Sequence, residues 1–146
     1  MSVPDISVMV ADKVTKIGVE MKSRAVRGSR ALKNAELNVL RGQRGGRVYR
    51  KAHTKRATYT ASAPGEPPAV HTGKLRRSFR PVARTYGGSA AFGGAASVYV
   101  SIETDTHYAG YLEDGTKKMA ARPYVEKIKQ EAEPEITAIF SAPYNV

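Results

Sequence analysis

The sequence predicts a single α+β domain: a small antiparallel sheet packed by N- and C-terminal helices, with a long basic Gly/Pro-rich projecting arm. Three observations predict it. Apolar residues recur at helical spacing at both ends of the chain, a period-two alternation occupies 97–103, and between them residues 41–71 lose both periods to Gly, Pro, Lys and Arg. The 146 residues are one domain's worth. Residues 1–146 are therefore read as one unit, with 41–71 as an extended arm or loop.

At the N-terminus, Ser2 is a candidate cap, and Pro4 suits a first turn, where its missing N–H would have no partner anyway. Ile6, Val10, Val14, Ile17 and Met21 fall on one helical stripe, which reads as a core-packing face. Ala31, Leu32, Ala35 and Leu40 continue it past a weak point at Gly28-Ser29. The expected helix runs from about residue 4 to the mid-thirties with a kink near Gly28.

From Arg41 to Pro68 the chain resembles no core element. Gly42, Gly45 and Gly46 loosen it, and Ala63-Pro64-Gly65-Glu66-Pro67-Pro68 closes it in a turn-rich, extended stretch. Long loops of this kind within compact domains are usually functional or disordered. Val48, Tyr49 and Tyr59 suggest that parts pair as a β-ribbon. The candidate contact residues on this arm are Arg41, Arg44, Arg47, Tyr49, Arg50, Lys51, Lys55, Arg56 and Tyr59. The cations match phosphates or acidic protein, and the tyrosines suit interface anchors.

Residues 72–79 read as a short helix capped by Thr72, with Leu75 and Phe79 one turn apart. A strand follows near 81–86, then a small-residue loop over 87–94. The next strand, 97–103, turns Val98, Val100 and Ile102 to one side and Tyr99, Ser101 and Glu103 to the other. Residues 107–114 fit a helical turn with Tyr108, Tyr111 and Leu112 on one face, stopped by Gly115. The last helix is expected to start at Pro123 and to carry Val125, Ile128, Ala132 and Ile136 inward. Pro134 is expected to kink or break it.

The net charge of +11 is unevenly placed. Residues 22–84 hold 17 of the 24 Lys and Arg and two acids, whereas from Glu103 onward eight acids face five bases. Such polarity favours an acidic or phosphate-bearing partner, or head-to-tail attraction between copies. The chain has no cysteine, which excludes disulfides and thiolate metal sites. No apolar run nears the roughly 20 residues of a membrane helix. Met1 to Val10 carries no Lys or Arg, so no secretory leader is expected there.

Catalytic patterns fail on their required points. Thr72-Gly73-Lys74 lacks the P-loop's first Gly, with Pro68 in its place, and Leu75 replaces the magnesium-binding hydroxyl. His53, His71 and His107 are dispersed, and Glu103, Asp105, Glu113 and Asp114 lack calcium-loop spacing. No enzymatic activity, metal or cofactor is expected.

Two stretches carry a resemblance. The first is Ser62 to Phe79, containing Pro64, Gly65, Pro67, Pro68, Thr72, Gly73, Leu75 and Arg76. The second is Tyr108-Ala109-Gly110-Tyr111-Leu112-Glu113-Asp114-Gly115-Thr116 followed by Arg122-Pro123. Together they resemble the gene-product-ten-like family of head–tail joining, tail completion or minor tail proteins of tailed phages. The tail protein Z of lambda is a functional counterpart of that family. Asp114 stands where the family often has an aromatic, and His71 where an Asp is common. The resemblance implies a structural subunit of the virion neck, assembled in the bacterial host cytoplasm. It implies a ring of the chain itself, with six copies expected, meeting head-side connector or stopper proteins and the tail terminator or tail tube. Non-specific contact with channel DNA and no membrane association are also expected. The competing reading is a non-specific nucleic-acid-binding basic protein.

Overall fold

A computed structural model describes residues 5–87 and 96–146. The protein is α+β, with helices α1 (Ile6–Arg41), α2 (Lys74–Ser78), α3 (Ala109–Asp114) and α4 (Val125–Ser141). Two antiparallel two-stranded sheets pair β1 (Val48–Arg50) with β2 (Thr58–Thr60), and β3 (Arg80–Gly87) with β4 (Ala96–Glu103). No described helix is long and apolar enough to cross a membrane.

The 36-residue α1 is the axis on which α4 and the β3–β4 sheet both pack. Ser2 and Pro4 lie outside the described residues. Asp5 is the N-cap, its carboxylate accepting the Ser7 N–H at 2.9 Å. The helix passes Gly28 without interruption, and the missing side chain there lets its neighbours pack close. A Cβ there would stand 3.0 Å from the Phe140 ring and 3.2 Å from Val100. It also continues to Arg41, beyond the expected mid-thirties, because Ala35 and Leu40 join the core with Phe79, Tyr124, Ile128 and Ala132.

The first apolar stripe departs from expectation. Ile6, Val10 and Val14 are 75%, 55% and 37% exposed, so they are not core. Every residue from Asp5 to Lys16 is exposed, and Ile17 and Met21 are only half-buried. Helical periodicity identifies an apolar face but not what covers it. Burial on α1 begins at Arg24, where the end of α4 reaches it.

In the main sheet Arg80 pairs with Glu103 and Gly87 with Ala96. Val98, Val100 and Ile102 turn inward to half-burial, while Tyr99 is 61% exposed. Of the expected loop at 87–94, residues 88–94 lie outside the described residues. α4 starts two residues later than Pro123 and runs through Pro134 without a break. Pro134 is exposed, while Ile128, Ala132 and Ile136 on the opposite side hold both halves of α4 in the core. Packing thus outweighs the ~3 kcal/mol that an interior proline costs a helix.

Candidate functional site

The segment after α1 forms a hairpin. Gly46 is required where the strands start. A Cβ there would run into the Ala61 carbonyl oxygen and stand 2.8 Å from the Ser62 carbonyl group. Gly46 N–H donates to Ala61 O and Ala61 N–H to Arg47 O, each at 2.9 Å. Tyr49 pairs with Tyr59 across the strands, with rings stacked at 5.7 Å. Tyr59 in turn meets His71 at 4.5 Å, which ties the hairpin to the segment before α2.

Of the predicted contact cations, Arg41, Arg47, Arg50, Lys55 and Arg56 are exposed and Lys51 is half-buried. None of them forms an ion pair with a described residue. Arg44 differs. It turns inward, donating to the Val39 carbonyl at 2.8 Å and to the Pro68 carbonyl at 3.2 Å. It therefore serves the last turn of α1, where carbonyls lack helical partners. Burial pushes its guanidinium below its ordinary value, and nearby Glu66 opposes that.

The two stretches singled out from the sequence, far apart along the chain, meet across one groove of about 360 Å³. Pro68 and Val70 to Arg76 form one wall, Tyr108, Leu112, Met119 and Arg122 the other, and Leu40 contributes from α1. Glu66 latches the first wall. Its carboxylate accepts Gly45 N–H at 3.0 Å and Ala63 N–H at 2.8 Å. Those backbone bonds, Ala63 first, hold its carboxyl below the usual range, helped by Arg44 and Arg122. Gly65 N–H then donates to Ala121 O at 3.2 Å, linking the walls directly.

The second wall is folded on itself. Gly115 closes α3, donating to Tyr111 O at 2.9 Å, and its φ of 79° is one that glycine adopts freely. A Cβ there would stand 2.8 Å from the Ala121 nitrogen. Arg122 N–H returns to Leu112 O at 2.6 Å, and Thr116 bridges Met119. Glu113 reaches across to the start of α4, accepting Tyr124 N–H at 2.7 Å and Val125 N–H at 3.2 Å. This is a helix cap supplied from a distant segment. The Tyr124 hydroxyl donates to Ala109 O at 3.0 Å, and burial, with the charges of Glu113, Asp114 and Glu36, pushes its pKa up to about 12.

Other expectations resolve unevenly. Gly73 has the positive φ, 74°, and is itself the N-cap of α2, while the Thr72 hydroxyl reaches the Lys74 N–H at 3.3 Å. Phe79 is buried, and Leu75, Tyr108 and Leu112 are half-buried. Tyr111 is 59% exposed, so it does not share a buried face with Tyr108 and Leu112; Ala109 is the buried residue of that turn. Pro64, Gly65 and Thr116 are exposed, Pro67, Arg76 and Pro123 half-buried, and Pro68 is buried.

The groove's charge is one-sided. Among the described residues, Lys74, Arg76, Arg122 and His71 line it and no carboxylate does. Arg122 Nη1 is buried with no hydrogen-bond partner among the described residues. Among the described residues no group of three His, Asp or Glu is placed to hold a metal.

Two polar centres escaped the sequence reading. Arg24, 2% exposed, bonds Glu20 at 2.9 Å and the Pro143 carbonyl at 2.9 Å, and lies 3.9 Å over the Tyr144 ring. Glu36, 0% exposed, receives Lys33 Nζ at 2.6 Å. Both lie on the buried face of α1. A charge interrupting an apolar stripe was the available signal. Comparison with family models, with curated proteins and with solved structures finds no match to this chain.

Proposed function

We propose that this chain is a structural, ring-forming subunit of a phage neck, a head–tail joining or tail completion protein. It acts without catalysis or cofactor. In the virion it links head-side connector or stopper proteins to the tail tube or tail terminator, in a ring of six copies assembled in the host cytoplasm. The observation that carries the reading is the interlock of the two resemblance stretches. Gly65 N–H joins the first wall to the second at the Ala121 carbonyl, while Glu113, Gly115 and Arg122 spend their hydrogen bonds and backbone geometry on fixing the second wall. That is the work of a rigid assembly surface. The hairpin is the projecting arm of this reading, with Tyr49, 44% exposed, as its apolar anchor.

Electron microscopy of particles carrying the chain tests this: six copies in the neck are expected, and one or two per neck would refute it. In the same particles Tyr49→Ala is expected to impair joining more than Lys55→Ala.

The second reading, non-specific nucleic-acid binding, is favoured by the hairpin cations that no described carboxylate neutralises. If Arg47, Arg50, Lys55 and Arg56 each met a phosphate, duplex affinity would fall with salt at a log–log slope of about −3.6. A slope that steep with micromolar binding at physiological salt, together with a larger effect from Lys55→Ala, would make the chain a nucleic-acid binder instead.

A further inference from the structure

The groove between the two walls carries cations that the fold itself does not use. Lys74 and Arg76 line it from the first wall and Arg122 from the second. Among the described residues, none of the three side chains donates a hydrogen bond or forms an ion pair. Other arginines of the chain behave differently. Arg77 donates to the Thr72 carbonyl at 3.2 Å, Arg80 pairs with Asp105 at 2.7 Å, and Arg44 serves the Val39 and Pro68 carbonyls. Arg122 is the most demanding case. Its side chain is half-buried, and Nη1 is buried with no acceptor among the described residues. Buried donors are as a rule hydrogen-bonded, so a guanidinium short of acceptors gains by taking one from outside the chain. Glu66 does not supply it. Its Oε1 accepts Gly45 N–H at 3.2 Å and its Oε2 accepts Ala63 N–H at 2.8 Å, so at Arg122 it contributes charge alone.

We infer that this groove binds an acidic segment of a partner protein, one Asp or Glu carboxylate lying between Arg122 and the Lys74–Arg76 wall and an apolar neighbour resting on Leu75, Leu112 and Met119. The inference rests on the assembly reading and names the chemistry of the partner that meets this surface. Three arguments select the ligand. First, a guanidinium presents its donors in a planar fork that matches a carboxylate, and such a pair gains strength away from bulk water. Second, the cations come from both walls, so an anion between them is clamped from two sides. The walls are fixed beforehand by Gly65 N–H on Ala121 O at 3.2 Å and Arg122 N–H on Leu112 O at 2.6 Å, which lowers the ordering cost of binding. Third, the lining between the cations is apolar: Leu75, Leu112 and Met119 are half-buried and Val70 is 39% exposed. An acidic residue beside an apolar one answers both kinds of lining, whereas a phosphodiester backbone answers only the charge.

The size of the groove agrees. At about 360 Å³ it lies at the small end of the roughly 300–1,000 Å³ of ligand sites, which suits a few residues of extended chain and excludes a duplex. A hydrogen-bonded charge pair contributes about ten- to a hundredfold in affinity. Because Arg122 is half-buried, salt weakens this pair less than it weakens contacts of the exposed hairpin cations.

The test titrates the isotope-labelled full chain with a short capped peptide that has one glutamate between two leucines, followed by amide NMR. Saturable shifts are expected at 70–76 and 108–122, with a Kd of about 1 mM or tighter. The same peptide with glutamine for glutamate is expected to bind at least about tenfold more weakly, as is the glutamate peptide to Arg122→Gln. The Arg122 side chain makes no bond within the described residues, so the melt of Arg122→Gln followed by circular dichroism is expected within a few degrees of the parent. Should that variant melt lower, Lys74→Gln, at an exposed position, is expected to weaken the glutamate peptide by up to about fivefold without loss of fold. Equal binding of the two peptides, or unchanged affinity in both variants, overturns the inference. So does the absence of groove shifts at millimolar peptide. A short single-stranded oligonucleotide that shifts the groove residues at lower concentration than the peptide overturns it in favour of nucleic acid. Six-copy rings in particles carrying a groove that ignores the peptide sink the inference and leave the assembly reading intact. Carboxylate-dependent binding without any ring in particles supports the groove's chemistry and sinks the assembly reading.

Discussion

Replacing Lys33 with Met is expected to destabilise the protein by up to about 4 to 5 kcal/mol at pH 7 but by no more than about 1 to 2 kcal/mol at pH 4.5. Glu36 is fully buried, with Oε2 on the Lys33 ammonium at 2.6 Å and Oε1 without a partner among the described residues. Burial is the largest influence on this carboxyl and raises it above its ordinary 4.5, while the hydrogen bond and charge of Lys33 pull it back. A carboxyl raised in the folded state is a liability above its unfolded pKa. Stability falls as pH rises from 4.5 through the folded value, and recovers as pH drops. Without Lys33 the bare carboxylate escapes by taking a proton. Keeping a group of ordinary pKa 4.5 neutral at pH 7 costs 1.36 × 2.5, about 3.4 kcal/mol, which caps the electrostatic penalty. At pH 4.5 half of the unfolded chains already carry that proton, and the cap shrinks to RT ln 2, about 0.4 kcal/mol. Lys33 also donates to the Arg76 carbonyl at 2.6 Å, and losing that bond adds about 0.5–1.5 kcal/mol at either pH. Urea denaturation followed by far-UV circular dichroism, on the parent, Lys33→Met, Glu36→Gln and the double variant, measures these terms. Glu36→Gln should stay within about 1 kcal/mol of the parent and remove most of the pH dependence of the Lys33 effect. Equal destabilisation by Lys33→Met at the two pH values would refute the reasoning.

Other variants test the site's construction. Glu113→Ala removes the distant cap from Tyr124 and Val125 and should cost about 1–2 kcal/mol in urea denaturation, with Glu113→Gln recovering part of it. Gly115→Ala should be worse than Gly73→Ala. Both have positive φ, but the new methyl at 115 meets the Ala121 backbone at 2.8 Å, whereas at 73 it meets only the movable end of Arg77 at 3.6 Å. A ratio of melting-temperature losses near one would contradict this. Arg24→Ala should cost about 2–3 kcal/mol and release the chain end that it holds through Pro143 and Tyr144. Faster carboxypeptidase trimming than in the parent is the expected readout.

The elements legible in the sequence were those whose period is enforced by burial within the chain. Val98, Val100 and Ile102 alternate because one side of β4 faces the core, and β3 and β4 form within a residue or so of their expected bounds. Ile128, Ala132 and Ile136 likewise mark the inner side of α4. Proline reads poorly by comparison. Pro134 carries a local rule against helix, yet it sits on the exposed side, and nothing local reveals that packing on both sides overrides it. Arg44 shows the same limit for charge. In sequence it is one of a run of cations, and only the fold decides that it turns inward while Arg47 and Arg50 stay in water. The groove was half legible. Its two walls were each conspicuous as stretches, but their meeting depends on the hydrogen bond between Gly65 and Ala121, far apart in sequence, which no periodicity encodes.

The apolar stripe at Ile6, Val10 and Val14 exposes the deeper reason for the misses. A helical period records that a face is apolar; it does not say whether folding covers it. Both readings of this stripe use the same residues and the same spacing. What separates them is length. α1 has 36 residues, about 54 Å of helix, whereas α4 has 17 and spans only about 26 Å. A partner helix half as long cannot cover the whole of its neighbour, and β3 and β4, at eight residues each, add little more reach in that direction. Counting the residues available to cover a stripe therefore separates the part that folding buries from the part that it leaves exposed. In this chain the surplus falls on the first sixteen residues, where every described side chain is exposed.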